Sequence, residues 1–202
     1  MPEVIRLRKG LDIKLKGAAS TENVVVKESK SYALVPDDFT GIIPKVVVTA
    51  GQCVKAGDAL FIDKKHPEVK FVSPVAGTVA AVNRGARRKV MSIVVTPNGS
   101  KEAVNFGVKS VHSLSAEQVK ATLLESGVFA FVRQRPYDII ANPQVQPRVI
   151  FVSAFDSAPL APDFEFVLKG HEADFQAGLS ALAKLAPTFL GISGKQTAQA
   201  LT

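Results

Sequence analysis

The residues with most chemistry to offer are cationic and cluster on two turns. Lys64 and Lys65 open the break Lys64-Lys65-His66-Pro67 between two apolar alternations. A lysine on such an exposed hairpin tip can be reached by a modifying enzyme. Arg84, Arg87, Arg88 and Lys89 place four cations within six residues of a second turn, more than the formal net charge of +7 requires. Guanidinium forks match carboxylates and phosphates, so this turn is a candidate for docking an acidic partner. Acid–base chemistry has raw material in Asp37, Asp38, Asp156 and Asp163 and in His66, His112 and His171, but no nucleophile–base–orienter spacing joins them. His171, Glu172 and Asp174 read as first-turn residues of a helix, where acidic groups suit the dipole. Gly191-Ile192-Ser193-Gly194-Lys195 falls short of a phosphate loop, because its glycines are too close and Gln196 follows the lysine.

The elements that must hold these groups divide into two kinds. Short apolar alternations broken by Gly and Pro run through the first half. Strands are expected around residues 4–15 (two short ones, or one bent at Gly10), at Val24–Lys27, Tyr32–Val35, Val46–Val48 and Val90–Thr96, with a strand pair over Phe71–Val82 broken by Pro74 and Gly77. Val54, Leu60 and Ile62 are expected to face the core, and the glycines of Ala50-Gly51 and Ala56-Gly57 to close turns at positive φ. Pro97-Asn98-Gly99-Ser100 ends this β-rich part, setting domains at 1–100 and 101–202. The second half changes period. Ser115 and Gln118 form a capping box for a helix over about 116–126, with Val119 and Leu123 on one face, and Gly127 is placed to end it. Pro136 and Pro143 punctuate a loop. Arg148–Ala154 is an apolar run that suggests a buried parallel strand. A helix over about 170–185 follows, with Phe175, Leu179, Leu182 and Leu185 on one face, then a strand at Phe189–Ile192 and a weak helix over 196–202. Strand, helix and strand make one βαβ-like unit that is too small to cover both faces of a parallel sheet.

Composition narrows the class. The 202 residues include one cysteine, Cys53, and three histidines, which argues against an internal disulfide, a structural zinc site or an iron–sulfur cluster. No apolar run reaches the roughly 18 residues that span a bilayer, and the N-terminus lacks a signal-peptide core. A cytosolic soluble protein or a peripheral subunit is expected. Trp is absent, Tyr occurs twice, and neither helix-turn-helix nor aromatic RNA wording is present, so no nucleic-acid partner is expected.

Val48-x-x-Gly51-x-x-Val54-x-x-Gly57-x-x-Leu60, followed by Ser73-Pro74-Val75-Ala76-Gly77-Thr78-Val79, resembles a biotinyl/lipoyl carrier domain, a flattened β-barrel or barrel-sandwich hybrid. Lys64 or Lys65 would then sit where a carrier lysine belongs, but the apolar-Met-Lys-Met wording of biotin sites is missing, which favours a solvated turn. A longer resemblance covers nearly the whole chain. Lys9–Asp12, Val35–Gly41, Ile62–Lys65, Phe71–Val79, Asn83–Gly85, Arg133–Pro136, Ala158–Asp163 and Lys169–Leu179 resemble the NqrA subunits of the sodium-translocating NADH:quinone oxidoreductases (Nqr). The resemblance implies a barrel-sandwich hybrid followed by an incomplete Rossmann-like α/β unit. Because the family's chains are longer, it also implies an N-terminal fragment. It further implies a peripheral subunit on the cytoplasmic side of a bacterial inner-membrane complex that oxidises NADH, reduces ubiquinone and exports Na⁺. Its partners would be the other subunits, especially the membrane-embedded ones, with ubiquinone nearby. The flavins and iron–sulfur centres of the complex would belong to those other subunits, leaving this chain with no cofactor and no catalytic residue. A more distant resemblance joins Ser126–Pro136 to the glycine-rich loop with which the flavin-binding subunit of respiratory complex I cradles its cofactor phosphate. Ser126 and Gly127 match the start of that loop, but Phe129, Ala130, Val132, Arg133 and Arg135 replace its flexible interior, implying a lost flavin site.

Overall fold

The computed structural model describes residues 4–5, 10, 15–17, 19–107 and 110–196. Most of the strand expected around 4–15 and the helix expected over 196–202 lie outside these. The first half forms two small antiparallel layers. One is a four-stranded sheet in the order β1 (Tyr32–Leu34), β7 (Val90–Pro97), β6 (Gly77–Arg84), β3 (Cys53–Val54). The other is three-stranded, in the order β2 (Pro44–Val46), β4 (Ala59–Asp63), β5 (Lys70–Val72). This is the curled, two-layered barrel-sandwich hybrid that the sequence resembles. Gly51 and Gly57 turn at φ 86° and 95°, as expected.

Between the layers lies a core of Leu60, Phe61, Val69, Phe71, Val79, Ile93 and Val95. Phe61 and Phe71 stack with centroids 4.5 Å apart, and Phe39 meets Phe71 edge-on, also at 4.5 Å. Strict alternation in β4 would bury Leu60 and Ile62. Instead the pairing with β5 slips between Ala59 and Phe61. Leu60 and Phe61 are therefore both buried while Ile62 is only half-buried, as a bulge requires when it breaks the two-residue period. Val24–Lys27 is not a strand. Val25 is 98% exposed and the segment joins no sheet among the described residues, so its apolar β-branched residues have no described edge to pair with. The strand expected at Val46–Val48 lies two residues earlier, on β2, where it pairs with β4.

α1 (Ala116–Glu125) begins as its sequence dictates. Ser115 Oγ accepts from the Gln118 amide at 3.2 Å, and Gln118 Oε1 accepts from the Ser115 amide at 2.9 Å. Gly127 ends it at φ 77°. A Cβ on Gly127 would stand 2.8 Å from Val72 Cγ1 and 3.3 Å from the Lys70 carbonyl oxygen. Glycine is thus needed both for the left-handed backbone and for close approach to β5. The helical turn Val128–Phe131 that follows enters the barrel: Phe129 is 7% and Ala130 3% exposed, and both join the core cluster. Leu123, Leu124, Val132, Ile140 and Ala141 pack around them.

The segment expected to be a loop between Pro136 and Pro143 contains one strand of a short hairpin, β8 (Arg133–Gln134) with β9 (Ile139–Ile140). It is fastened to the first half by the Ile140 amide, which donates to the Thr40 carbonyl at 3.0 Å. Beyond it, β10 (Ile150–Ser153) and β11 (Thr188–Gly191) pair in parallel, connected through α2 (Phe164–Leu168) and α3 (Glu172–Ala183). The βαβ unit is therefore present, but β10 is not buried on both faces. Phe151, 77% exposed, stacks on Phe189 at 5.8 Å on the open side of the sheet. The sequence pattern also does not signal α2.

Phe129 lies far along the chain from the barrel whose core it enters. Phe129→Ala is expected to lower the unfolding free energy by about 3–4 kcal/mol. Urea titration followed by tyrosine fluorescence in a Tyr137→Phe background, which leaves Tyr32 on β1 as the reporter, reads this as an earlier unfolding transition. Exposed Phe131→Ala is expected to move the midpoint by a small fraction of that shift.

Candidate docking site

Lys64 and Lys65 sit on the β4–β5 turn with both side chains exposed. Their backbone is rigidly placed. Buried Asp63 accepts from the Ile43 amide at 3.0 Å and from the Lys65 amide at 3.2 Å, while the Lys64 amide donates to the Ile43 carbonyl at 2.7 Å. One carboxylate thus ties the end of β4 to the approach to β2 and sets the turn. His66 closes it, its carbonyl accepting from the Val69 amide at 2.9 Å, while its buried Nδ1 has no hydrogen-bond partner among the described residues.

The β6–β7 tip carries Arg84, Arg87, Arg88 and Lys89, all exposed. Residues 86–89 form its turn, with the Lys89 amide donating to the Ala86 carbonyl at 3.1 Å and the Gly85 amide to the Lys89 carbonyl at 2.8 Å. Arg87 and Arg88 occupy the two central positions at φ 53° and 61°. Positive φ at both centres is the signature of the mirror-image hairpin turns, which favour Asn-Gly. For an ordinary side chain it costs on the order of 1–2 kcal/mol per residue. The four cations divide into two pairs. Lys89 Nζ makes an ion pair with Asp37 Oδ2 at 2.6 Å, and Arg84 Nη1 donates to the Arg88 carbonyl at 3.2 Å. Arg87 and Arg88 have no side-chain partner among the described residues.

The Ser126–Pro136 segment does different work from its outline in sequence. Ser126 caps α1, its hydroxyl donating to the Leu123 carbonyl at 3.3 Å. Arg133 and Arg135 both face Asp138, at 3.0 Å and 3.6 Å, so one carboxylate on the β8–β9 hairpin holds the two guanidiniums. Sequence reasoning misses Asp138 and Asp63. Asp138 is signalled only by its place one turn beyond two arginines, and Asp63 only by directly preceding the lysine pair.

The remaining acid–base candidates are structural. Asp156 Oδ1 accepts from the Ala158 amide at 2.8 Å, and Asp163 caps α2 by accepting from the Glu165 amide at 2.9 Å. His171 stands at the N-terminal end of α3 without a side-chain capping bond, its Nδ1 3.6 Å from Asp174 Oδ2, and the His112 carbonyl accepts from Lys184 Nζ at 3.0 Å. The Glu172 carboxyl lies below the usual carboxylate range, first because the Gly170 amide donates to it and then because of its own backbone amide. Glu117 is lowered in the same direction by its own amide and then by Ser115. Both are ionised helix-end groups and not proton donors near neutrality. In the Gly191–Lys195 segment Gly191 ends β11 and residues 192–195 are a loop, held by Gln196, which accepts from the Ser193 amide at 2.6 Å and donates to the Ala154 carbonyl at 2.7 Å. No helix of the described residues is long and apolar enough to cross a membrane.

Replacing Arg87→Asn together with Arg88→Gly supplies the turn with its favoured residues. It is expected to raise stability by about 1–2 kcal/mol. A higher urea midpoint with an unchanged slope is the readout, and an unchanged midpoint contradicts the strain.

Two family models match the chain. Residues 5–98 match the NqrA N-terminal barrel-sandwich hybrid domain, and residues 114–202 match the NqrA second alpha/beta domain. Among similar proteins, the NqrA protein of the Na(+)-translocating NADH-quinone reductase of Pseudomonas aeruginosa (strain UCBPP-PA14) is 38% identical over 189 residues, which is 93% of this chain and 42% of that protein. The corresponding protein from Serratia proteamaculans (strain 568) is 39% identical over 186 residues, covering 90% of this chain and 41% of its own. That of Haemophilus influenzae (strain PittGG) is 35% identical over 187 residues, covering 92% and 42%. The chain thus spans about two fifths of the length of the curated relatives it matches. From the two matched domains and the barrel they describe, this chain belongs to the NqrA family of the sodium-translocating NADH-quinone reductases.

Proposed function

We propose that the chain is a soluble subunit of a membrane-bound, redox-driven sodium pump that oxidises NADH and reduces ubiquinone. It lies on the cytoplasmic side of a bacterial inner membrane, and its part is structural docking beside the membrane-embedded subunits, close to where quinone is reduced. It carries no flavin of its own, and the flavins and iron–sulfur centres used by the complex belong to other subunits. The observation that carries this reading is the fate of the segment after Gly127. A phosphate cradle needs a loop whose backbone amides face solvent and a ligand. Here Phe129 and Ala130 are turned into the barrel core. The segment is a helical turn in which the Ala130 amide donates to the Gly127 carbonyl and the Val132 amide to the Phe129 carbonyl. The cationic turns 64–66 and 84–89 are the docking elements of this reading.

A second reading is favoured by one observation. Lys64 and Lys65 are exposed on the β4–β5 turn, the place of the attachment lysine in carrier domains. Intact-mass spectrometry of the protein from its native host separates the two: an unmodified mass supports the docking subunit, and a biotin or lipoyl adduct supports the carrier.

Affinity purification of the native, full-length subunit from solubilised membranes is expected to recover multispanning redox subunits, and their consistent absence overturns the assignment. Titration of the purified protein with FMN and with NADH is expected to show no binding below the millimolar range. Sub-millimolar binding at residues 126–136 would refute the lost-site reading.

A further inference from the structure

We propose that Arg87 and Arg88 form a paired receptor for carboxylates on an acidic segment of a partner protein, with Arg84 and Lys89 as positioning residues. This deepens the docking reading given above and rests on it. The division of labour follows from the contacts. Lys89 is engaged by Asp37 and Arg84 by the Arg88 carbonyl. Both contacts brace the turn from below. Arg87 and Arg88 stand at its apex, exposed and without side-chain partners among the described residues.

The backbone at the apex distinguishes a receptor from a merely solvated turn. The two central positions of this turn favour Asn-Gly, and the chain holds two arginines there at φ 53° and 61°. Violations of local preference concentrate at functional sites. The rigid turn also selects the ligand. An anionic membrane surface asks only for charge density, which a mobile lysine run supplies. Two planar forks on a braced turn suit paired carboxylates, which accept two hydrogen bonds each in fixed geometry. The tip also carries no aromatic or long aliphatic residue between Asn83 and Lys89, where membrane-inserting loops place theirs.

The test titrates the purified protein with a capped hexaglutamate peptide at low salt, and separately with phosphatidylglycerol vesicles. Three double variants accompany it: Arg87→Gln with Arg88→Gln, Arg87→Lys with Arg88→Lys, and a charge-matched control, Lys45→Gln with Lys101→Gln. Far-ultraviolet circular dichroism verifies that each is folded. The glutamine pair is expected to weaken peptide binding about tenfold and the lysine pair several-fold. The control, of equal net charge, is expected to change it less than about twofold. Equal losses in the glutamine pair and the control would reduce the effect to diffuse charge and overturn the proposal. Full binding by the lysine pair would also overturn it, since the fork would then be unused. Tip-dependent binding to vesicles but not to peptide would overturn it too, reassigning the tip to a lipid surface. Co-purification with the membrane subunits is independent of these outcomes, so failure of the receptor leaves family membership and assembly standing.

Discussion

The structure hangs on the stacking of Phe61 against Phe71. These rings come from adjacent strands of the three-stranded layer and lie nearly parallel, at 13°, with centroids 4.5 Å apart. Offset aromatic pairs add to the burial of their surfaces, which is the dominant favourable term in a small core. Phe39 closes over both rings, edge-on to Phe71 at 4.5 Å and to Phe61 at 6.1 Å. Holding Phe39 there fixes the helical turn Pro36–Asp38 immediately before it, and with it Asp37, whose carboxylate reaches Lys89 under the β6–β7 tip. The core thus reaches a charged tip through one loop and one exposed ion pair.

The same core recruits the segment that follows α1. A nucleotide cradle and a packing plug make opposite demands on backbone. The first keeps amides free and residues small, while the second turns side chains inward and satisfies amides within a helical turn. Gly127 serves the plug, since its missing Cβ admits β5 at close range, and Phe129 converts that approach into buried area. Arg133 and Arg135, which in sequence could face a phosphate, share Asp138 instead. This is why the first half of the chain and the helix from Ser115 onward behave as one packed body around the barrel.

Much of this is legible in the sequence, and the failures have physical causes. The turn glycines and the capping box at Ser115 follow from local chemistry, which acts over a few residues. The apolar pattern gives β7 and the strands of the parallel β10–β11 pair, but β6 runs on to Arg84, two residues into the expected basic turn, because its pairing with β7 continues there. Alternation misplaces Ile62 because a bulge, set by pairing with β5, breaks the period that alternation assumes. Val24–Lys27 reads as a strand but is none, because β-propensity needs a neighbouring edge and the described residues supply none. The burial of Phe129 is invisible in sequence because nothing in Val128–Phe131 announces a partner more than fifty residues earlier in the chain. Charge density alone finds the cationic turns, but their division into braced and free residues depends on Asp37 and on a backbone carbonyl, contacts that no spacing rule encodes. Phe151, expected to be buried on a two-faced sheet, shows that an apolar run predicts a strand more reliably than it predicts what covers it.

A segment packed into the barrel core is protected with the barrel, whereas a loop open to a ligand is not. Native-state hydrogen exchange separates the two for the residues after Gly127. The Ala130 and Val132 amides are bonded within the plug, and the Ile140 amide is bonded across to Thr40. All three are expected to exchange by the same cooperative opening as the Val79 amide inside the barrel, which donates to the Gln52 carbonyl at 2.9 Å, with the same denaturant dependence. Rapid exchange at 130, 132 and 140 while Val79 stays protected would contradict that packing.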